Sequence, residues 1–420
     1  MTDSTASYER GRAADHELIR SDYIPLCRCS MTVNKPPLSS LSDLAHAGGA
    51  PPMRERGGGG VRFQMKLDHL DHLVCPETGR SLRLDEPYVL EKGRVMQGEL
   101  LEPISGTRYP IVNFIPRFAP QENYASNFGL EWNIHGRTQY DETSGFSLSR
   151  RRFQKETGWG ADLRGENVLE VGCGSGRFTR HALETGALVF SCDYSNAVEA
   201  NYRSNGTHEN LVLVQASVYE MPFKRGFFDK AYCFGVLQHT PDPRNAFLAI
   251  LEHLKPGGEI ASDIYAKNIG RWLLQPKYWV RPLTREMAPR KLYDAVKKYV
   301  DLMWPLARIV RKIPFIGPTL NWKLLIADYS KLLPNADDAT LKEWAYLDTF
   351  DMLSPRYDRP ATLKNFRRWH EEAGLIDVEV HYGFNGLEGR GTKPAVGTAK
   401  VGARRQKRSI DRLIGIRRPI

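Results

Sequence analysis

The stretch Val168-Leu169-Glu170-Val171-Gly172-Cys173-Gly174-Ser175-Gly176-Arg177-Phe178-Thr179 decides the fold. Val168, Leu169 and Val171 make a short apolar strand, and the three glycines let the backbone turn tightly and approach a ligand with no Cβ in the way. A helix beginning at Arg177 would aim its N-terminal amides at that ligand. A dinucleotide fingerprint spaces its glycines Gly-x-Gly-x-x-Gly. Here the third glycine comes one residue early, at Gly176, with Glu170 just ahead of the turn.

Outward from this loop, strand and helix patterns alternate from Glu166 to Ala266, which predicts a parallel sheet with helices on its faces. A second strand over 187–192 ends at Asp193-Tyr194, and a third over 211–215 ends at Ala216-Ser217-Val218. A fourth, Lys230 to Phe234, leads into the loop Gly235-Val236-Leu237-Gln238-His239-Thr240-Pro241-Asp242-Pro243. Asp242 caps the next helix with Pro243 at its first position; Ala246, Phe247, Ile250 and Leu254 form its apolar face, and Pro256-Gly257-Gly258 stops it. A fifth strand runs from Glu259 to Tyr265. A further helix from Thr362 to Gly374 and a strand from Ile376 to Tyr382 follow much later.

The loop with its acidic residue resembles the first motif of class I S-adenosylmethionine-dependent methyltransferases of the methyltransferase type 11 group. The resemblance covers Glu166 to Ala266 and the last elements. It implies an α/β fold: a Rossmann-like, mostly parallel seven-stranded sheet with helices on both faces, a helical lid insertion and a small N-terminal β domain. It implies S-adenosyl-L-methionine as cofactor, with Glu170 at the methionine end and the loop residues Gly172, Cys173, Gly174 and Gly176 around it. Asp193 would accept from the ribose hydroxyls, and Tyr194 would pack on the adenine. Ala216, Ser217, Val218 and Phe234 complete the expected cofactor contacts. Ser217 stands where the family usually has an aspartate facing the adenine amino group, so that bond would lack a full charge. Cys173 and Cys233 read as small packed residues rather than nucleophiles.

Upstream, residues 1–64 carry Pro36-Pro37, Pro51-Pro52 and the run Gly57 to Gly60 with no sustained period, and are expected to be disordered. Met53 and Met65 each offer an alternative start. Residues 65–119 read as a small, separate β domain. Its segments Cys75-Pro76-Glu77-Thr78-Gly79 and Pro103-Ile104-Ser105-Gly106 resemble the zinc-ribbon-like activator domain of some tRNA and protein methyltransferases. A ribbon needs four thiolate or imidazole ligands, and Cys75 stands alone with Thr78 at the next ligand position. No metal is expected, with His69 and His72 as the weaker alternative. The six cysteines are too few and scattered for a disulfide framework. The charged N-terminus lacks a signal peptide's apolar run, and no stretch reaches the ~18 uninterrupted apolar residues of a membrane helix. A cytoplasmic protein is expected.

The core is expected to occupy 120–266 and 356–401, with a helical lid at 267–355 and a basic tail at 402–420. An insertion after the fifth strand hangs over the C-terminal edge of the sheet, where open α/β folds bind ligands. The lid should therefore supply most acceptor contacts. Gln139, Tyr140, Tyr265, Asp348, Arg356 and Tyr357 are the candidates, with Asp351 beside them. In the lid, Leu292, Val296, Tyr299, Val300 and Met303 repeat at helical spacing opposite Arg290, Lys291, Lys297 and Lys298. Lid core packing explains the stripe most simply. The alternative is a basic amphipathic surface for an anionic membrane or for a phosphorylated or lipid-linked acceptor. The formal charge of +10 is concentrated in the lid and the tail, and a solvated tail accounts for much of it.

Together these features imply methyl transfer to a small-molecule acceptor such as a biosynthetic intermediate, a sugar or a lipid-linked compound. The Ser354-Pro355-Arg356-Tyr357 passage and Gly383-Phe384-Asn385-Gly386 are similar to small-molecule methyltransferases of bacterial biosynthetic clusters. His239 is the candidate general base, although a pocket-lining role is the simpler reading. An RNA or protein methyltransferase is the alternative, but the Asn/Asp-Pro-Pro-aromatic signature of amino-group methylation is absent and nucleic acid is not an expected partner. A second alternative is a regulatory protein that binds the cofactor without turnover. Oligomeric state and acceptor identity are open at this level.

Overall fold

The computed structural model describes residues 67–267 and 275–395. The expected disordered segment 1–64, both alternative starts and the basic tail lie outside the described residues. Seven strands form the main sheet: β5 (Asn167–Val171), β6 (Leu188–Asp193), β7 (Leu211–Gln215), β8 (Phe228–Cys233), β9 (Leu254–Ile264), β10 (Ile376–Gly383) and β11 (Gly386–Thr392). Their order is β10-β11-β9-β8-β5-β6-β7. The five from β9 to β7 are parallel, and β11 is antiparallel to both of its neighbours. The chain therefore reverses its winding at β5, between β8 and β6. Ligands of such sheets bind at that switch point, outside the strand carboxyl ends.

Strands buried on both faces are largely apolar runs, and the centre of the sheet follows this, with Glu170, Ser191 and Asp263 as buried polar exceptions. Val168, Leu169, Val189, Phe190, Val212 and Val214 are all buried. Helix starts follow their local chemistry: Asp242 accepts from the Asn245 N–H at 3.0 Å, and Thr362 from the Asn365 N–H at 3.2 Å.

The N-terminal sheet is antiparallel, with β1 (Arg83–Glu91), β2 (Arg94–Leu101), β3 (Arg108–Val112) and β4 (Ile115–Pro116) in sequence order. It does not stand apart as its texture had implied. Leu82, Val95, Leu100 and Ile111 belong to the same buried cluster as Val212, Val214, Met221 and Phe223 of the main sheet's edge. So small a sheet cannot bury a core of its own. At its two turns, Cys75 Sγ lies 3.2 Å from the Tyr109 hydroxyl, and Glu102 accepts from the Ile104 and Ser105 N–H groups. His72 packs between Phe190 and Phe227. Among the described residues no group of three or more His, Cys, Asp or Glu side chains is arranged to hold a metal.

Ahead of the core come α1 (Ser126–Ile134) and α2 (Leu148–Thr157), and the core helices are α3 (Arg177–Glu184), α4 (Val198–Asn205) and α5 (Pro243–His253). The insertion is helical: α6 (Lys277–Thr284), α7 (Pro289–Val310), α8 (Gly317–Lys323) and α9 (Asp338–Leu353) precede α10 (Leu363–Glu372). Leu292, Val296, Val300 and Trp304 of α7 pack with Ile326, Leu333, Leu341, Trp344 and Phe350 into a separate lid core. The Leu292 stripe is thus packing, the simpler of its two readings. No described helix is long and apolar enough to cross a membrane.

Candidate active site

Beyond β5 the backbone runs through Gly172, Gly174 and Gly176 at φ of 77°, 52° and 90°, a left-handed path that only glycine follows without strain. A Cβ at Gly172 would collide with Val236, and one at Gly176 with Asn201. At Gly174 it would lie 3.2 Å from Trp132 Nε1, because α1 crosses the loop there. Tyr140 sits beneath the loop, buried. Its hydroxyl donates to the Ser175 carbonyl at 2.8 Å and accepts from Asn205 at 3.0 Å. It was expected among the acceptor contacts; its hydroxyl is bonded to the glycine loop. Gln139 is buried, its main-chain carbonyl accepting from Ser149 Oγ at 3.0 Å and its side-chain oxygen left without a partner.

Glu170 is 2% exposed. It accepts from Thr179 Oγ1 at 2.5 Å and Ser191 Oγ at 2.6 Å, tying β5 to α3 and β6. Burial pushes its pKa up to about 7, against the opposing pull of these hydroxyls and of Tyr232. Both bonds end on Oε2, which leaves Oε1 as the oxygen a ligand would meet. Asp193 Oδ2 accepts from the Gly174 N–H at 2.9 Å, and Oδ1 from Ser195 N–H and Oγ at 2.8 and 2.7 Å. Three of its roughly four acceptor positions are filled, and burial raises its pKa. The Tyr194 ring packs on Tyr124 at 4.9 Å. Ala216 and Val218 are buried, and Ser217 Oγ accepts from the Tyr219 N–H at 3.2 Å. Phe234 is packed edge-on against Phe178. Burial drives the Cys173 and Cys233 thiols well above their ordinary pKa, which leaves both inert as nucleophiles at neutral pH.

His239 lies in the short turn Leu237–His239 after β8. Its Nδ1 is 3.0 Å from the Tyr357 carbonyl oxygen. The ring is packed by Phe128 at 5.0 Å and edge-on by Tyr265 at 5.4 Å. The adjacent Asp358 is buried and paired with Lys277 at 3.4 Å and with Arg281. Despite burial, these cations and His239 hold its carboxyl down at about 2. The Lys277 ammonium also stands over the Tyr265 ring, 5.5 Å from its centre. A cavity of about 390 Å³ opens here, lined by Arg285, Glu286, Arg356, Tyr357, Asp358 and Arg359. Tyr265, Arg356 and Tyr357 thus gather around His239 and this cavity.

Asp348 lies elsewhere, in the seam between α1 and α9. There Asn127 donates to Ser354 Oγ at 3.0 Å, and His135 meets Glu343 at 2.6 Å and Tyr293 at 3.0 Å. Between these polar pairs Glu131, 1% exposed, faces Asp348 and Asp351. Burial and Asp351 raise Asp348 to about 7. Arg177 stands nearby over the Phe178 ring at 4.5 Å, its pKa brought down to about 10 by burial and by Arg152.

Several of these residues escaped the sequence reading. Asp263 accepts from the Gly235 N–H at 2.5 Å and pairs with Arg152, which also holds Glu156 at 2.5 Å. A lone aspartate inside the apolar strand Ile260-Ala261-Ser262-Asp263-Ile264 was the available signal, since such a group is buried only when paired. Glu131, Lys277, Arg281 and Asp358 carry no comparable local mark.

Residues 169–262 match the family described as Methyltransferase domain. The ubiquinone biosynthesis O-methyltransferase of Erwinia tasmaniensis is 31% identical over 185 residues, which cover 42% of this chain and 72% of that protein. The protein of the same name from Cronobacter sakazakii is 31% identical over 144 residues, covering 33% of this chain and 57% of that protein. Among solved structures, the CurJ carbon methyltransferase is 13% identical with a TM-score of 0.35, covering 65% of this chain and 62% of that one.

Proposed function

The chain belongs to the class I S-adenosylmethionine-dependent methyltransferases, and from that premise we propose that it methylates a hydroxyl oxygen of a small acceptor held beneath the helical lid, with His239 as general base. The observation that carries this reading is the 3.0 Å contact between His239 Nδ1 and the Tyr357 carbonyl. A carbonyl oxygen only accepts, so Nδ1 carries the hydrogen and Nε2 keeps its lone pair. That is the tautomer a base requires, and the Phe128 and Tyr265 rings fix its plane.

The residues present fit the cofactor. The loop at Gly172 and Gly174 has no room for side chains, and Asp193 retains acceptor capacity beside it. When bound, S-adenosylmethionine supplies an electrophilic methyl carbon on a sulfonium, with a neutral thioether as leaving group. Asp193 and the glycine loop would hold the nucleoside, with Tyr194 alongside. Glu170 would act by fixing the strand and helix that shape the loop. Phe128, Tyr265 and the lid would orient the acceptor and exclude water, which supplies much of the rate in a direct displacement. His239 Nε2 would take the hydroxyl proton as the oxygen–carbon bond forms and the sulfur–carbon bond breaks.

The similarity to O-methyltransferases supports oxygen as the nucleophile, and the ring-lined setting of His239 supports a small ring-bearing acceptor. The test is S-adenosylhomocysteine release by the purified protein with paired hydroxy and amino analogues of aromatic acceptors. Turnover of the hydroxy members, lost in His239→Gln with cofactor binding kept, is expected. Turnover of amino members only, or an undiminished variant, overturns the reading.

A further inference from the structure

The lid carries a second face that neither the methyltransferase core nor the lid's own packing uses. On α7 the buried residues Leu292, Val296, Val300, Trp304 and Ala307 all turn inward. Roughly a third to half a turn around the same helix, Leu302, Leu306, Ile309 and, just past its end, Ile313 recur at spacings of four, three and four and are exposed. Such spacing puts them in one line along the helix. Leu302 is 77% and Ile309 67% exposed.

The line continues into the turn before α8. Phe315 is 90% exposed and sits at φ 64°, a conformation that costs a bulky residue energy. The Ile316 N–H donates back across it to the Pro314 carbonyl at 2.8 Å, and Lys331 Nζ donates to the Phe315 carbonyl at 2.6 Å. The strained backbone is therefore held in place, and what it presents to solvent is an aromatic ring. Ile316 and Leu320 extend the patch.

Charge accompanies the apolar line. Lys291 and Lys298 occupy the same face one to three turns earlier on α7, both exposed, and Lys312 is exposed beside Ile313. From Pro289 to Lys323 eight lysines and arginines stand against two aspartates. Arg290 is paired with Asp294, Arg308 and Arg311 with Asp338 and Asp328, and Asp301 with Lys342, so among the described residues the cations that border the apolar line without an ion pair are Lys291, Lys298 and Lys312. An exposed apolar stripe ending in a projecting aromatic and bordered by unopposed cations is the pattern of a helix lying in a lipid interface. An anionic leaflet offers negative charge along the whole length of such a stripe, which matches lysines spread along the helix.

We propose that the exposed face of α7, with the Phe315 turn and α8, docks the lid on an anionic lipid surface, the apolar line entering the headgroup boundary and the lysines meeting lipid phosphates. This stands apart from the choice of acceptor, because the face lies on the outside of the lid core.

Co-sedimentation of the full chain with phosphatidylcholine vesicles, with and without phosphatidylglycerol, tests it. Binding is expected to the anionic vesicles and to weaken as salt rises. The double variant Ile309→Ser, Phe315→Ser should lower partitioning by roughly tenfold or more, and Lys291→Glu with Lys298→Glu should remove the preference for phosphatidylglycerol. S-adenosylmethionine affinity by calorimetry should stay at the wild-type value in both, which separates lost docking from lost folding. No binding to either vesicle overturns the proposal. So do variants that bind like the wild type, and sedimentation velocity showing a wild-type dimer that the Ile309/Phe315 variant dissociates, which would assign the face to a second copy of the chain.

Discussion

His239 and Tyr357 are 118 residues apart in sequence, yet the imidazole Nδ1 of one lies 3.0 Å from the main-chain carbonyl oxygen of the other. The contact joins the loop after β8 to the segment returning from the lid, so the orientation of the imidazole and the position of the lid are set together. His239→Gln should lower kcat by about 10²–10⁴, the usual contribution of a general base, while the cofactor Kd changes little. Single-turnover methyl transfer and calorimetry read the two separately. A fall in cofactor affinity matching the loss in rate would make His239 a lining residue.

The Tyr357 carbonyl cannot be mutated, but its neighbour can. Asp358 is buried against Arg281 and Lys277, and its removal strands two cations in the interior. Asp358→Asn should cost about 3–5 kcal/mol, as breaking one side of a buried pair does, and should raise the acceptor KM through the displaced Tyr357. The sign with pH is fixed by the depressed pKa. The stabilisation is present above the ordinary aspartate value of 3.8 and is lost as pH falls through about 2. Urea denaturation at pH 7 and near pH 2 should therefore show a large gap between the two proteins that closes in acid. An unchanged gap would mean that packing, not pairing, is what the variant disturbs.

Glu170 acts in the opposite direction. Its folded pKa of about 7 lies above the ordinary glutamate value of 4.5, so the folded state binds the proton more tightly. Its contribution is most favourable below pH 4.5 and declines as pH rises through 7, by on the order of 3 kcal/mol in total. Glu170→Gln imitates the protonated form. Stability measured from pH 5 to 8 should fall less steeply in the variant than in the wild type, with a residual slope from Asp348, also raised to about 7. Identical slopes would show that Glu170 does not titrate in this range.

The parts of the fold that read correctly from sequence were those whose signal is local. The strand at β7 was placed at its observed bounds, and Asp242 was recognisable as a cap because a cap needs only its own side chain and the next turn. The glycine loop was legible for the same reason. The Tyr140 bond was not legible because nothing in its neighbours says that its hydroxyl reaches Ser175, thirty-five residues on. The clustering of Glu131 with Asp348 and of His239 with Asp358 is likewise set by how α1 and the lid close on the core. Strand β11 was not located: Gly386-Leu387-Glu388-Gly389-Arg390-Gly391-Thr392 holds three glycines and, at its last position, Thr392 as its one β-branched residue, with no aromatic.

Those glycines answer to a neighbour distant in sequence, and this gives a final test. A Cβ at Gly389 would lie 2.7 Å from the His370 ring and 2.9 Å from Phe366 Cε1. Both rings are fully buried, and His370 Nδ1 is tied to the Phe366 carbonyl at 2.9 Å, so neither can swing aside. Gly389→Ala should destabilise the protein by about 1–3 kcal/mol through overpacking, whereas Gly160→Ala, with open space around it, should be nearly neutral. The effect should also reach the active site. Gly389 pairs with Ser262 on β9, and the next residue, Asp263, holds the Gly235 N–H at the start of the His239 loop. A strand pushed outward by α10 therefore pulls on the His239 loop. Thermal denaturation together with kcat should show both losses in Gly389→Ala; a loss of stability with unaltered kcat would mean that β9 absorbs the displacement before it reaches Gly235.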